Sequence, residues 1–357
     1  MCKRIFASQT NSDGEVPFFK IGTIGGVPDS YISSGLFEDY KRRFNFPVVG
    51  EVLITCSGTV GRCLQYDGSP AYYQDSNIVW LHGDKSPIES GFLYWLLKRH
   101  DWKTLNTTTI SRIYSSDLLN LKLSFPTAKE QEKITHFLIL IDRRIAVQNK
   151  IIEAYGSLIN PLFNVLNACE KKKISLGELG VYRSADNLSW DEISGKGDPT
   201  IIYGELFTTY QLIARDIKSL SDVQIASTSS GRDILFPAST TVDSLSLISP
   251  VALYEKGVKL GGDMFFISLK EEYDPLYISL LLNLYCKRAL SKYAQGSTII
   301  HLHFEDIENF TIFVPDAKKQ REISTRILHI LDLIDCERKK LKLLLKQKQF
   351  FLNELFI

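Results

Sequence analysis

The sequence predicts an α+β protein: two tandem mixed α/β domains, each followed by a long α-helix. The two helices are expected to pair as an antiparallel coiled coil about a pseudo-two-fold axis. Three observations predict this. One apolar helical seam occurs twice at a fixed offset, the entrances to the two helices match, and a strand-rich segment precedes each. The expected blocks are residues 1–127 and 171–316 for the domains, 128–170 for the central helix and 317–357 for the C-terminal helix.

The first seam reads Ile134, Leu138, Ile141, Ile145, Gln148 and Ile152, then Tyr155, Ile159, Leu162 and Leu166. Its steps alternate between four and three residues, the spacing of a coiled-coil face. The second reads Ile323, Ile327, Ile330, Ile334, Glu337 and Leu341, then Leu344, Lys348, Phe351 and Leu355. Every position lies 189 residues after its partner, and the polar break at Gln148 returns as Glu337. Lys348 against Ile159 is a further mismatch. Phe125-Pro126-Thr127-Ala128-Lys129-Glu130-Gln131 reads against Val314-Pro315-Asp316-Ala317-Lys318-Lys319-Gln320. In each, a strand-like run ends at Pro, and Thr or Asp follows where an N-cap belongs. A period shared through about 40 residues is a duplication. A seam of about 35 residues rises roughly 50 Å, far more than a helix packed on one small domain needs. The two stripes therefore cover each other, and the intervening domain lets the chain return antiparallel.

The first domain reads as strands at Val16 to Ile24, Val48 to Ile54 and Ile78 to Leu81. A helix comes next at Gly91 to Arg99, with Phe92, Trp95 and Leu96 on one face. A polar loop covers Asn106 to Arg112, and Leu118 to Phe125 closes the domain as a strand-like run. In the second domain Pro199 to Leu206 parallels the first strand, and Gly231 to Phe236 parallels Gly50 to Thr55. Gly261 to Phe266 parallels Tyr73 to Ile78, and Tyr277 to Arg288 parallels the helix. Scaffolds match while loop residues differ, which suggests two related sites reading different things. The second copy opens with Leu176-Gly177-Glu178-Leu179, and Met1 stands where that leading strand would be finishing. The first domain is therefore expected to lack that strand or to borrow one.

Composition narrows the chemistry. With 44% hydrophobic and 23% charged residues this is an ordinary globular chain. Its net charge of +1 excludes a polybasic protein. Nucleic-acid binding must then rest on local patches or on a partner's charge. The six cysteines (Cys2, Cys56, Cys63, Cys169, Cys286, Cys336) form no CxxC pair. They read as reduced thiols of the cytosol rather than a disulfide frame. The absence of a long apolar run or signal peptide predicts a cytoplasmic chain with no membrane contact.

Catalytic sets are weak. Pro28-Asp29 with Asp39-Tyr40-Lys41 further on has the loose form of a metal-dependent nuclease motif, but the pattern is short and has no copy in the second domain. Asn160-Pro161-Leu162-Phe163 only brushes an adenine-methyltransferase motif and lies on the helical seam. His301-x-His303 near Glu305 has no third histidine or cysteine beside it, so loop histidines are the simpler reading. There is no P-loop. Neither a catalytic nor a metal site is expected. What remains suits DNA. Lys41, Arg42, Arg43, Arg62, Arg112, Arg183, Arg215 and Arg232 are cations near loops. Thr55, Ser57, Thr59, Gln74, Asn77, Thr107, Thr108, Thr240, Gln295, Ser297, Thr298 and His301 are hydrogen-bonding side chains in or beside loops. Cations suit phosphates, while Arg, Asn and Gln can also read base edges. For any single one, a solvated surface role is the commoner fate.

At this point the chain resembles the specificity (S) subunit of type I restriction-modification systems. The resemblance rests on Gly50-Glu51-Val52-Leu53-Ile54 leading into Ser57-Gly58-Thr59-Val60-Gly61, then Tyr73-Gln74-Asp75-Ser76-Asn77. It rests also on Glu130-Gln131-x-x-Ile134 at a helix start, and on Ile141-Asp142-x-x-Ile145 and Leu331-Asp332 further along. It implies that each domain is a target-recognition domain for one half of a split double-stranded DNA site, with the helices setting the gap. It implies two methylation (M) subunits on the helices and restriction (R) subunits beyond. S-adenosylmethionine, ATP and Mg would belong to those partners, and this chain would hold no cofactor and catalyse nothing. One departure is that Ala238-Ser239-Thr240-Thr241 stands where a Ser-Gly-Thr-x-Gly turn would be. A reading from another class is a coiled-coil adaptor for protein partners, which the loop chemistry opposes.

Overall fold

The computed structural model describes residues 1–81, 87–102 and 112–356, without the side chain of Ser115. Among these residues no helix is long and apolar enough to cross a membrane. The fold is mixed α and β with two long helices, the central Ala128–Leu166 and the C-terminal Ala317–Glu354. It divides into two compact units, Met1–Asn149 with Lys339–Ile357, and Lys150–Arg338. The first unit is not a contiguous block of sequence, because each long helix gives one part of its length to each unit.

In the first unit Val16–Phe19 pairs antiparallel with Tyr31–Ile32 and parallel with Tyr72–Tyr73. Val52–Thr55 lies between Cys63–Gln65 and Ile78–Trp80, antiparallel to both. The apolar run Val52-Leu53-Ile54 is buried on both faces, as alternate side chains of a strand point opposite ways. Leu53 enters a core with Tyr72 and Ile78, while Val52 and Ile54 enter another with Leu97 and Trp102. The first strand stops at Phe19, short of the predicted Ile24. Thr23 and Ile24 both donate their N–H groups to the Lys20 carbonyl at 3.0 Å, which turns the chain.

The second unit uses the same plan with more strands. Asp198–Ile202 runs parallel to Lys256–Gly261, as Val16–Phe19 does to Tyr72–Tyr73. Asp233–Pro237 runs antiparallel to Met264–Leu269, as Val52–Thr55 does to Ile78–Trp80. Period-two alternation again splits the central strand: Ile234 and Phe236 face one core, Leu235 the other.

The two parts of each long helix pack inside their own units. In the first, Leu138 is buried with Trp95, Leu352 and Phe356. The Phe137 and Phe351 rings lie 4.8 Å apart, and Asp142 is ion-paired to Lys348. Rising positions on one helix meet falling positions on the other, so the helices run antiparallel. Lys348 also lies over the Trp95 ring at 5.0 Å, which explains a lysine on an apolar seam. In the second unit Ile323 and Ile327 share a core with Phe163. The seam residues Ile134, Leu138, Ile141, Ile145, Gln148, Ile152, Ile323, Ile327, Ile330, Ile334, Glu337 and Leu341 are all buried or half-buried.

The glutamine at both helix entrances has a physical account. Gln131 Oε1 accepts the Glu89 N–H at 2.8 Å, and its Nε2 donates to the carbonyls of Pro87 (3.1 Å) and Pro126 (2.9 Å). Glu89 in turn caps the helix Ser90–Arg99 through Phe92 N. Gln320 repeats this. It accepts from Asp274 N at 2.9 Å and donates to the Glu272 and Pro315 carbonyls, and Asp274 caps Pro275–Leu281. One amide thus latches each domain helix to the first turn of a long helix. Gln131→Leu should strand the Glu89 N–H at a cost of about 1–3 kcal/mol. Urea unfolding would show a lower midpoint at unchanged slope, and an unmoved midpoint would contradict the latch.

The predicted strand over Leu118 to Phe125 is corrected. Ser115–Leu119 is a short helix and 120–127 carries no regular element. The second unit shows why. There Thr311–Val314 is a strand because Lys172–Ser175 pairs with it, and among the described residues of the first unit no strand lies along the equivalent run. A lone extended segment has no ladder to hold it.

Candidate nucleic-acid interface

In the first unit four segments meet at Cys56, just beyond the strand Val52–Thr55. Cys56 N donates to the Asn77 carbonyl at 2.7 Å, and the Cys56 carbonyl accepts from Ile113 N at 2.9 Å. Burial pushes the Cys56 thiol up to about 11, against the pull of Arg112. Ser57 bridges to Arg112, and Ser57 Oγ donates to Asn77 Oδ1 at 2.6 Å. The turn after Ser57 needs its glycines: Gly58 and Gly61 have φ of +66° and +84°. A Cβ on Gly61 would stand 2.1 Å from the Trp102 ring. Thr55 is fully buried and braces this turn, donating to the Thr59 carbonyl and accepting from Arg62 N. Arg62 Nη1 reaches the Gly22 carbonyl at 3.1 Å, and Gln74 Oε1 accepts Ile21 N at 3.2 Å. Ser57, Arg62, Gln74, Asn77 and Arg112 are therefore brought together, with the Arg112 guanidinium 5.7 Å from the Tyr114 ring centre.

The second unit builds the same node. Ala238 N donates to the Asp263 carbonyl at 2.8 Å, and the Ala238 carbonyl accepts from Leu302 N at 2.8 Å. Ser239 pairs with His301, and Thr240 with Ile300. By backbone role Ala238 replaces Cys56, Ser239 replaces Ser57, Asp263 replaces Asn77 and His301 replaces Arg112. The Gly-less run Ala238–Thr241 is thus the counterpart of the Ser57–Gly61 turn, with its end drawn out as a strand. Gln295 and His301 exchange backbone hydrogen bonds at 2.7 and 2.8 Å. They hold the 296–299 loop, with Ser297 and Thr298, beside Thr240. The His301 and His303 rings lie parallel with centres 6.1 Å apart, and among the described residues no three His, Cys, Asp or Glu converge on a metal position.

The remaining candidates lie elsewhere. Lys41 sits over the rings of Phe37 and Phe46, and Arg42 and Arg43 are tied to Asp39. Arg183 is exposed on the strand Gly180–Ser184. Arg215 clasps Asp332 and Asp335 on the C-terminal helix. Arg232 donates to the carbonyls of Lys270, Glu271 and Tyr273, closing a loop. Thr107 and Thr108 lie outside the described residues. The nuclease pattern does not assemble: Asp29 pairs with Lys20 at 3.0 Å, which holds its carboxyl below the usual range, while Asp39 is held by its own helix. Sequence reasoning passed over Cys56, Ala238 and Asp263, because backbone groups rather than side chains make the node.

Residues 1–154 and 170–346 match the model of the type I restriction modification DNA specificity domain. A Haemophilus influenzae chain named as a type I restriction enzyme specificity subunit is 43% identical over 153 residues, covering 43% of this chain and 39% of that one. The Methanocaldococcus jannaschii chain named as the MjaX specificity subunit is 24% identical, covering 97% of this chain and 88% of its own length. In fold, the chain resembles the crystal structure of the S subunit from M. genitalium, with TM-score 0.62, 18% identity and coverage of 100% and 92%. It also resembles a chain from a structure concerned with complex assembly and conformational transition of the type I R-M system, with TM-score 0.57, 13% identity and coverage of 95% and 90%. A domain matched twice along the sequence, and one backbone node built twice in the fold, place the chain in the family of type I restriction-modification DNA specificity domains.

Proposed function

We propose that this chain is the DNA-specificity subunit of a type I restriction-modification complex, with each unit reading one half of a split double-stranded target. The observation that carries this is the duplicated node: one backbone framework presenting Ser57, Asn77 and Arg112 in the first unit, and Ser239, Asp263 and His301 in the second. Equal scaffolds with unequal side chains suit two readings of different sequence. The two long helices, 39 and 38 residues, would set the untouched gap and hold two methylation subunits, with restriction subunits joining them. In this reading the chain works in the cytoplasm and addresses DNA without catalysing. S-adenosylmethionine, ATP and Mg serve the other subunits. The near-neutral charge fits a complex in which partners supply part of the phosphate grip.

The test is adenine-methylation mapping in cells carrying this chain with its methylation subunit, against cells lacking only this chain. A two-part motif with a fixed gap, present in the first and absent from the second, is the expected result. Identical methylation in both would overturn the reading and favour a protein adaptor.

A further inference from the structure

Lys98 and Lys287 lie 189 residues apart, at one point of the repeat, yet the structure uses them differently. Lys98 belongs to the regular helix Ser90–Arg99. It donates to Tyr94 Oη at 2.7 Å and lies 4.9 and 5.0 Å from the ring centres of Tyr94 and Trp95. Lys287 comes directly after a five-residue π turn, Leu282–Cys286, that separates Pro275–Leu281 from Lys287–Leu290. Such a turn rotates the next helical residues about the helix axis, and π turns concentrate at functional sites. Here it releases the lysine from the aromatic rest that its counterpart occupies.

Lys287 lines a cavity of about 640 Å³ within the second unit. Among the described residues its ammonium makes no hydrogen bond, short ion pair or ring contact. Burial lowers its pKa from the usual lysine value, against the pull of Asp243. The Asp243 carboxylate is engaged by Ser246 N at 2.8 Å and Ser246 Oγ at 2.7 Å. Ser239 and Thr240 also line the cavity, so it opens on the node and on the strand pair with His301. Val242 and Ile299 stand in its lining, 72% and 49% exposed.

We propose that Lys287 Nζ reads acceptor atoms on a base edge, the O6 and N7 of a guanine, in the half-site of the second unit. This rests on the DNA-specificity reading above. A recessed lysine flanked by hydroxyls that can donate or accept, with apolar side chains beside it, suits a base edge better than a phosphate. Phosphate contacts come from cations free to follow the backbone, whereas lysine to guanine O6 and N7 is among the commonest base-specific contacts.

The test is Lys287→Met, which keeps the side-chain stem, in the chain assembled with its methylation subunit and mapped on a random-sequence plasmid library. The expected result is an unchanged first half-site and gap. At one position of the second half-site, a guanine preference of roughly 5- to 150-fold falls to near one. Affinity lost equally for all sequences, with the slope of log K against log salt smaller by about 1, marks a phosphate contact and overturns the proposal. So does an unchanged motif. If Lys287→Met methylates nothing, Lys287→Arg decides, since arginine keeps the donors: a restored guanine requirement supports the proposal and its absence sinks it. A wild-type complex with no chain-dependent motif refutes the underlying reading instead, and is distinguishable because it needs no variant.

Discussion

Exchanging residues 174–316 for the corresponding segment of a family member with another target is expected to replace one half of the methylated motif completely, leaving the other half and the gap intact. The node residues of the second unit, Ser239, Asp263 and His301, all lie inside that segment, as does the 296–299 loop held by Gln295. The first node draws on Cys56, Asn77 and Ile113, none of which is touched. The exchange crosses one structural dependency. Gln320 stays behind and must find the backbone N–H that Asp274 provides at 2.9 Å, so the incoming segment needs a capping carboxylate at that position. Methylation mapping reads the outcome. Both halves changing together would show that recognition is not divided between the units, and neither changing would place it outside the exchanged segment.

Phe163→Ala is expected to give the largest loss of stability among single changes on the central helix. Phe163 is fully buried, with ring centres 5.7 Å from both Tyr277 and Tyr285. Neighbouring polar groups fix this arrangement, for Tyr277 Oη donates to Asn167 Oδ1 at 2.8 Å and Tyr285 Oη to Asn164. Walls tied in this way cannot collapse into the space left by the ring, so the change should cost about 3–5 kcal/mol. For a unit of this size that lowers the melting temperature by roughly 6–20 °C. Calorimetry that resolves the two units should show the shift in the transition of Lys150–Arg338. A loss below about 1 kcal/mol would mean that Phe163 does not hold the helix to this core.

Sequence periodicity carried the long-range plan because a packed helix repeats every 3.6 residues and leaves a stripe that reads directly. Ile134 to Leu166 and Ile323 to Leu355 show that stripe, and the long helices Ala128–Leu166 and Ala317–Glu354 carry it. The strand-like run before Pro126 misled for a complementary reason. A strand is a property of two segments, and the alternation of Leu121 and Leu123 with polar neighbours says nothing about whether a partner lies alongside. Arg215 and Arg232 looked like free cations in loops; the carboxylates of Asp332 and Asp335 and the carbonyls of the 270–273 turn claim them across the fold.

By itself the sequence determined the duplication, the two helices, the family and the loops in which recognition would lie, since each leaves a local or periodic trace. Only the tertiary structure decided that Ser57 and Arg112 answer to Ser239 and His301, because backbone hydrogen bonds between distant segments make that equivalence. Only it separated Lys287 from Lys98. The two share a place in the repeat, and one wide turn of helix leaves the first facing a cavity while the second rests on its own aromatic neighbours.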